Sequence, residues 1–349
     1  MATTFAVPDG RVAMAATTYT GSGGINTISN AVNGVGLQPD LLWTKSRSSA
    51  AYHYIQNSVV GVNKALYSNT TDSEYTLTTT TTALNTNGFS FNGPESGLNA
   101  SAATYVGWQW KAGTSTVTNG VGTISSQVNA NTTAGFSVVT YTGTGANATV
   151  GHGLGVAPGM VIIKSRNSAV FNWVVYHSGL TSAAYYVSLN QTIAQSSYPT
   201  AFNSTAPTST VFSIGTDFSI NQSTSTYVAY CWAPVAGYSA FGSYTGNGSA
   251  DGPFIYTGFR PRFVMIKETG STGNWNMIDT SRSTYNTTNA TLLANDSLAE
   301  LSGVAQESID ILSNGFKIRY AGSGDTNTSG SGYIYAAFAE NPLKYSNAR

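Results

Sequence analysis

Three strings of one kind, Tyr19-Thr20-Gly21-Ser22-Gly23, Tyr141-Thr142-Gly143-Thr144-Gly145 and Tyr244-Thr245-Gly246-Asn247-Gly248, recur along the chain. A repeat of this size constrains a fold more than any local propensity, because each copy must solve the same packing problem. After each start comes a turn and an apolar run ending in lysine. Gly36-Leu37-Gln38-Pro39 precedes Leu41 to Lys45, Gly155-Val156-Ala157-Pro158 precedes Met160 to Lys164, and Gly258-Phe259-Arg260-Pro261 precedes Phe263 to Lys267. Two more landmarks close each copy. They are Asn87-Gly88-Phe89-Ser90-Phe91, Val211-Phe212-Ser213-Ile214-Gly215 and Asn314-Gly315-Phe316-Lys317-Ile318, then Tyr105 to Trp110, Tyr227 to Trp232 and Tyr333 to Phe338.

The marked segments are short, rich in Val, Ile, Tyr, Phe, Trp and Thr, and bounded by Gly, Pro, Asn and Ser, which is strand chemistry. Each proline suits a strand entrance, where its missing N–H breaks no ladder bond. The one helical candidate is Ala290 to Gln306, whose leucines recur at nearly helical intervals. The fold expected is all-β, with three tandem antiparallel β-sandwich repeat domains, jelly-roll-like or Ig-like. The divisions are an N-terminal arm at 1–18, repeats at 19–112, 135–237 and 238–349, and a Thr/Asn/Gly/Ser-rich linker at 113–134.

Composition narrows the function. Fifteen Lys plus Arg balance fifteen Asp plus Glu, so the cationic footprint for nucleic-acid phosphates is missing and no nucleic acid is expected as a partner. Only 9% of residues are charged, against roughly 25% in ordinary domains, and solubility falls to Thr, Ser, Asn and Gly. One cysteine, Cys231, allows neither an intramolecular disulfide nor a thiolate cluster. Residues 1–21 carry no basic region and no continuous apolar core, and no stretch reaches the roughly 18 apolar residues of a membrane span. The expectation is a protein that matures in a reducing cytoplasm, is not inserted in a membrane and leaves by lysis.

Catalytic residues are scarce. The histidines are His53, His152 and His177. The third copy has Asn274 to Asp279 where His53 and His177 stand in the others, so no site common to the copies rests on histidine. The acids Asp40, Asp72, Glu74, Glu95 and Asp217 are scattered, and Asp279, Asp296, Glu300, Glu307 and Asp310 collect in the third copy without the regular spacing of a Ca²⁺ loop. The glycines around Gly151-His152-Gly153 lack the context of a phosphate loop and read as turns. No catalytic residue, cofactor or metal is assigned. Lys45, Lys164 and Lys267 read as structural, with apolar stems over a sheet edge and ammonium groups reaching water or a carboxylate. Trp43, Trp108, Trp110 and Trp232 read as core. Tyr52, Tyr54, Trp173, Tyr176 and Trp275 follow the lysine-ended strand and, beside Asn and Ser, form the candidate surface for stacking a glycan.

The strings Gly36 to Arg47, Ser68 to Glu74, Asn87 to Phe91, Asn99-Ala100-Ser101 and Tyr105 to Gly113 resemble a repeated β domain of uncharacterised function in virion proteins of tailed bacteriophages, marine and cyanobacterial phages above all. The resemblance covers nearly the whole chain and is strongest in the first copy. It implies a non-enzymatic virion protein of the tail-fibre or adhesin type. Its partners would be other virion proteins, its own copies in a homo-oligomer, and a polysaccharide or receptor on the host surface. The alternatives are a capsid decoration or head-fibre protein and, further off, a polysaccharide depolymerase.

Overall fold

The computed structural model describes residues 5–303, 308–322 and 324–342. Nearly everything in it is antiparallel strand. Helical geometry among the described residues includes the 3-10 turn Gly10–Val12 and the single turn Phe218–Asn221. Each copy builds one wide and one narrow sheet, and none closes on itself.

In the first copy the wide sheet runs Met14–Thr20, Thr104–Trp110, Leu41–Ser46, Tyr54–Asn57, Lys64–Tyr67 and Tyr75–Thr76 in spatial order. The second copy repeats the order with Phe136–Thr142, Thr226–Trp232, Met160–Ser165, Val174–His177, Tyr185–Ser188 and Ser196–Ser197. The third does so with Ser239–Thr245, Gly332–Pro342, Phe259–Glu268, Trp275–Asp279 and Leu292–Leu293. The narrow sheets are Ile25–Ser29, Gly88–Asn92 and Thr81–Asn85; Ala148–Gly151 and Val211–Ile214; and Phe254–Tyr256, Gly315–Ile318 and Ile309–Leu312.

The repeated starts have a common mechanical cause. Their tyrosines stack face to face on the tyrosine opening the last landmark strand, Tyr19 on Tyr105, Tyr141 on Tyr227 and Tyr244 on Tyr333, with ring centroids 5.1, 5.2 and 4.9 Å apart. Each hydroxyl donates to a backbone carbonyl, of Leu98, Ile220 and Thr326 respectively. A buried asparagine then clamps the glycine turn. The side-chain oxygens of Asn99, Asn221 and Asn327 accept from the backbone N–H of Ser22, Thr144 and Asn247. Glycine is required at 21, 143 and 246 because a Cβ there would collide with the carbonyls of Ala100, Gln222 and Thr328.

The apolar runs are buried on both faces, which is why they read as continuous hydrophobic strings. Alternation divides them. Leu42 faces the narrow sheet and packs with Phe89 and Phe91, whereas Leu41 and Trp43 face the other way into a second core. That second core is shared. It joins Trp43, Trp108 and Trp110 to Met160, Ile162 and Trp232 and to Phe263, Met265 and Phe338. Trp110 stands edge-on to Trp232 at 5.8 Å, Phe263 at 5.7 Å and Phe338 at 5.5 Å. The rings of the three copies leave a void of only about 10 Å³ between them. The boundaries expected at 112 and 237 therefore cut across one hydrophobic core.

Other expectations change at particular residues. The linker 113–134 carries strands Val117–Asn119 and Ser126–Asn131, which extend the wide sheet of the second copy. The arm 1–18 ends inside strand Met14–Thr20, paired from Met14↔Trp110 to Thr20↔Thr104; residues 1–4 lie outside the described residues. The leucines of 290–306 do not form a helix. Leu292–Leu293 pairs with Asn276 and Met277, and Thr291 bridges to Leu301, because the edge of the wide sheet offers ladder bonds that a short isolated helix cannot match; residues 304–307 lie outside the described residues. Pro39 and Pro158 precede their strands, whereas Pro261 lies within one, at a register shift that absorbs its missing donor.

Candidate functional site

Aligning the registers Trp43↔Ile55, Ile162↔Val175 and Met265↔Met277 makes every position of one copy comparable with the other two. His53, Trp173 and Trp275 are then equivalent, as are Asn57, His177 and Asp279.

Both sets bind the copies together. The Trp173 indole donates to the Tyr67 carbonyl at 2.9 Å, and Trp275 donates to the Ser188 carbonyl at 2.9 Å. His53 takes the same place against the Leu293 and Asp296 backbone, with Trp43 Nε1 donating to its Nδ1 at 2.9 Å. Contacts of the second set run the opposite way round the ring. Asn57 Nδ2 donates to the Tyr230 hydroxyl at 3.0 Å, His177 Nε2 lies 3.0 Å from the Tyr335 carbonyl, and Asp279 Oδ2 accepts from Trp108 Nε1 at 2.9 Å. Every copy thus touches both others through the same two positions. Burial holds the imidazoles neutral: it drives His53 well below the ordinary value, with help from the Lys45 charge, and His177 down to about 4.

Lys45, Lys164 and Lys267 are fully buried, so the reading of ammonium groups in water does not hold. Their Nζ atoms donate to backbone carbonyls. Lys164 reaches Thr71 of the first copy and Lys267 reaches Thr192 of the second, while Lys45 bonds Ser46 and Ser49. Beside them Arg47 pairs with Glu300, and Arg166 with Glu74, each through two hydrogen bonds. Burial pushes all three ammonium groups down to about 8.

A depressed lysine pKa has a definite sign. Between about pH 8 and the unfolded value near 10.4, the unfolded chain holds protons that the folded chain has released, so stability rises with pH across that window. Between about pH 9 and 10 the many buried tyrosines, whose phenols ionise more readily in the unfolded chain, begin to reverse the trend. The urea midpoint should therefore climb from pH 8 to about pH 9, and Lys164→Met should remove about a third of the climb. A flat or falling midpoint would show that the lysines keep their ordinary affinity for protons.

The sequence-based glycan candidates separate. Trp173 and Trp275 are sealed between copies and Tyr176 packs against Phe202, so none of the three offers a face to solvent. Asp279, one of the acids collected in the third copy, is also sealed, with Arg282 Nε 2.6 Å away and both side chains fully buried. Among the described residues no group of three or more His, Cys, Asp or Glu side chains is placed to hold a metal, and no helix is long and apolar enough to cross a membrane.

Tyr52 and Tyr54 do come together. Tyr52 is 47% exposed and lies on Tyr67 at 4.8 Å with the rings tilted by 30°. Tyr54 meets Tyr67 edge-on at 4.9 Å, and Tyr75 extends the cluster at 6.3 Å. Gly97 makes room: a Cβ there would enter the Tyr54 ring. The Tyr54 hydroxyl donates to Glu95 Oε1 at 2.9 Å, and Thr79 donates to Oε2 at 3.1 Å. Burial raises the Tyr54 phenol well above its ordinary value and Tyr67 to about 12, the Glu95 charge adding to both. The cluster borders a recess of about 270 Å³ lined by Ala50, Ala51, Tyr52, Tyr54, Ser96, Gly97 and Ser297. Ser297 belongs to the third copy, and its carbonyl accepts from the Ala51 N–H at 2.9 Å.

The internal comparison singles this cluster out. Where the first copy has Tyr52, the others have Asn172 and Asn274, which accept from Asn190 and Asn295 at 2.8 Å. Tyr54 stands where Val174 and Asn276 do, Tyr67 where Ser188 and Leu293 do, and Tyr75 where Ser196 does. All four tyrosines are private to one copy, whereas the other shared strings have shared structural jobs. Sequence reading missed Tyr67 and Tyr75, which reach Tyr52 only through strand pairing. A second private patch lies on the outer face of the third narrow sheet. Phe254, Tyr256 and Lys317 stand there where the first copy has Thr27, Ser29 and Ser90.

A family model described as "Domain of unknown function (DUF7483)" matches residues 12–342. No curated protein and no solved structure matches the chain.

Proposed function

The chain belongs to the DUF7483 family, and for it we propose the role of a structural protein in a tailed-bacteriophage virion, of the tail-fibre or adhesin type. Each wide and narrow sheet pair is read as one β-sandwich, giving three such modules in tandem around their common core. The role rests on the resemblance of the landmark strings to phage virion proteins. The observation that carries a contact role is the recess bordered by the four-tyrosine cluster, which is present in one copy of three and brings Tyr52 to solvent, whereas the tyrosines that open the repeated strands are spent on packing. Tyrosine is a favoured contact residue at interfaces.

On this reading the protein is carried on the particle, assembled in the host cytoplasm and released by lysis, with no enzymatic activity and no cofactor. It meets the host surface at the first copy. A second reading, a capsid decoration or head-fibre protein, draws support from the other private patch. Phe254 and Tyr256 are 46% and 63% exposed on a sheet face, which suits a protein partner on the particle.

Purified protein should adhere to host cells and block phage adsorption, and labelled antibody should mark the tail in images of intact particles. Label on the head, with binding to emptied capsids and no effect on adsorption, would establish the second reading instead.

A further inference from the structure

We infer that the tyrosine recess of the first copy is a subsite for a single uncharged pyranose ring, completed by the third copy. The inference rests on the reading of the protein as a surface-contacting one and adds the chemical class of the ligand. Three observations carry it. The first is shape. A recess of about 270 Å³ lies just below the roughly 300–1,000 Å³ of pockets for drug-sized molecules and leaves space for one ring rather than an extended chain. The second is the wall. Tyr52 is held by Tyr67 behind it at 4.8 Å, so an apolar aromatic face is presented without ordering cost, and a pyranose offers C–H groups to such a face. Ser96 and Ser297 add hydroxyl-bearing residues to the lining.

The third is charge. No Lys or Arg lines the recess, and Glu95 is held against its Tyr54 wall at 2.9 Å. A uronate or sulfated sugar would find no cation in the lining to offset its charge, whereas an uncharged ring needs none. The position of Ser297 adds a condition. Because the recess spans the first and third copies, it exists only while these two are docked.

The test uses the full chain and three trisaccharides: a glucan and a galactan, both uncharged, and trigalacturonate. Saturation transfer from protein to sugar should be seen with at least one uncharged probe and be absent with trigalacturonate. Tyr52→Asn, which installs the residue the other two copies carry, should weaken binding about tenfold, the share of one aromatic contact. Tyr52→Phe should retain it, and both variants should keep the thermal midpoint of the parent. Transfer to trigalacturonate equal to that of the uncharged sugars, no transfer to any probe, or undiminished binding by a folded Tyr52→Asn protein would each overturn the inference. Adherence to host cells is scored separately. Adherence without sugar binding removes the subsite and leaves the adhesin reading, while sugar binding without adherence does the reverse.

Discussion

Replacing Asp279 by alanine should destabilise the protein by roughly 3–5 kcal/mol, the cost of stranding a buried charge. Arg282 Nε lies 2.6 Å from Asp279 Oδ2, and both side chains are fully buried. The guanidinium also bonds the Met277 carbonyl and Glu300 Oε2, and stands 5.4 Å over the Trp108 ring. Without the carboxylate, Arg282 keeps only part of its compensation and Trp108 Nε1 loses its acceptor. Burial alone would raise the Asp279 pKa, but the Arg282 charge and the hydrogen bonds from Arg282 and Trp108 outweigh it and hold it below the usual value. The stabilisation is thus present above about pH 4 and is lost as the carboxylate is protonated at lower pH. Asp279→Ala should flatten that acid limb as well as lower the urea midpoint. A variant within about 1 kcal/mol of the parent would mean that the network breaks even against solvent.

The second large effect concerns the copies taken singly. A polypeptide of residues 13–112 should fail to fold, and the whole chain should unfold in one transition. Cut free, the first copy would expose Leu41, Trp43, Trp108 and Trp110 on one face, an apolar patch that water does not tolerate on a small domain. Trp110→Ala should accordingly cost about 3–5 kcal/mol and shift that single transition, because the ring touches both other copies. Calorimetry on the variant decides the point. Three separable transitions, or a folded 13–112 fragment, would mean that each copy is held by its narrow sheet alone.

The strand content and the repeats were legible because alternation and turn residues act locally. The packing of wide sheets against one another was not. Leu41, Leu42 and Trp43 are apolar in succession, and such a run looks alike whether its second face meets another copy or a narrow sheet. Lys45, Lys164 and Lys267 misled for a related reason. A lysine ending a strand ordinarily reaches water, whereas these are buried against backbone carbonyls, of their own copies and, for Lys164 and Lys267, of Thr71 and Thr192 in the neighbouring copy. The candidate site was half visible. Tyr52 and Tyr54 lie two positions apart in the chain, but Tyr67 and Tyr75 arrive by strand pairing, and the tryptophans expected beside them serve the seams between copies.

The bond from Trp108 to Asp279 joins residues 171 positions apart. At roughly 5–20 residues per second, a ribosome needs on the order of 10–30 s to deliver the aspartate after the indole has been made. Throughout that delay the Trp108 indole lacks its acceptor, and the shared core lacks its third-copy side. Synthesis of this chain should thus lean on holding chaperones, and on a slow rate of initiation, more heavily than its final stability suggests.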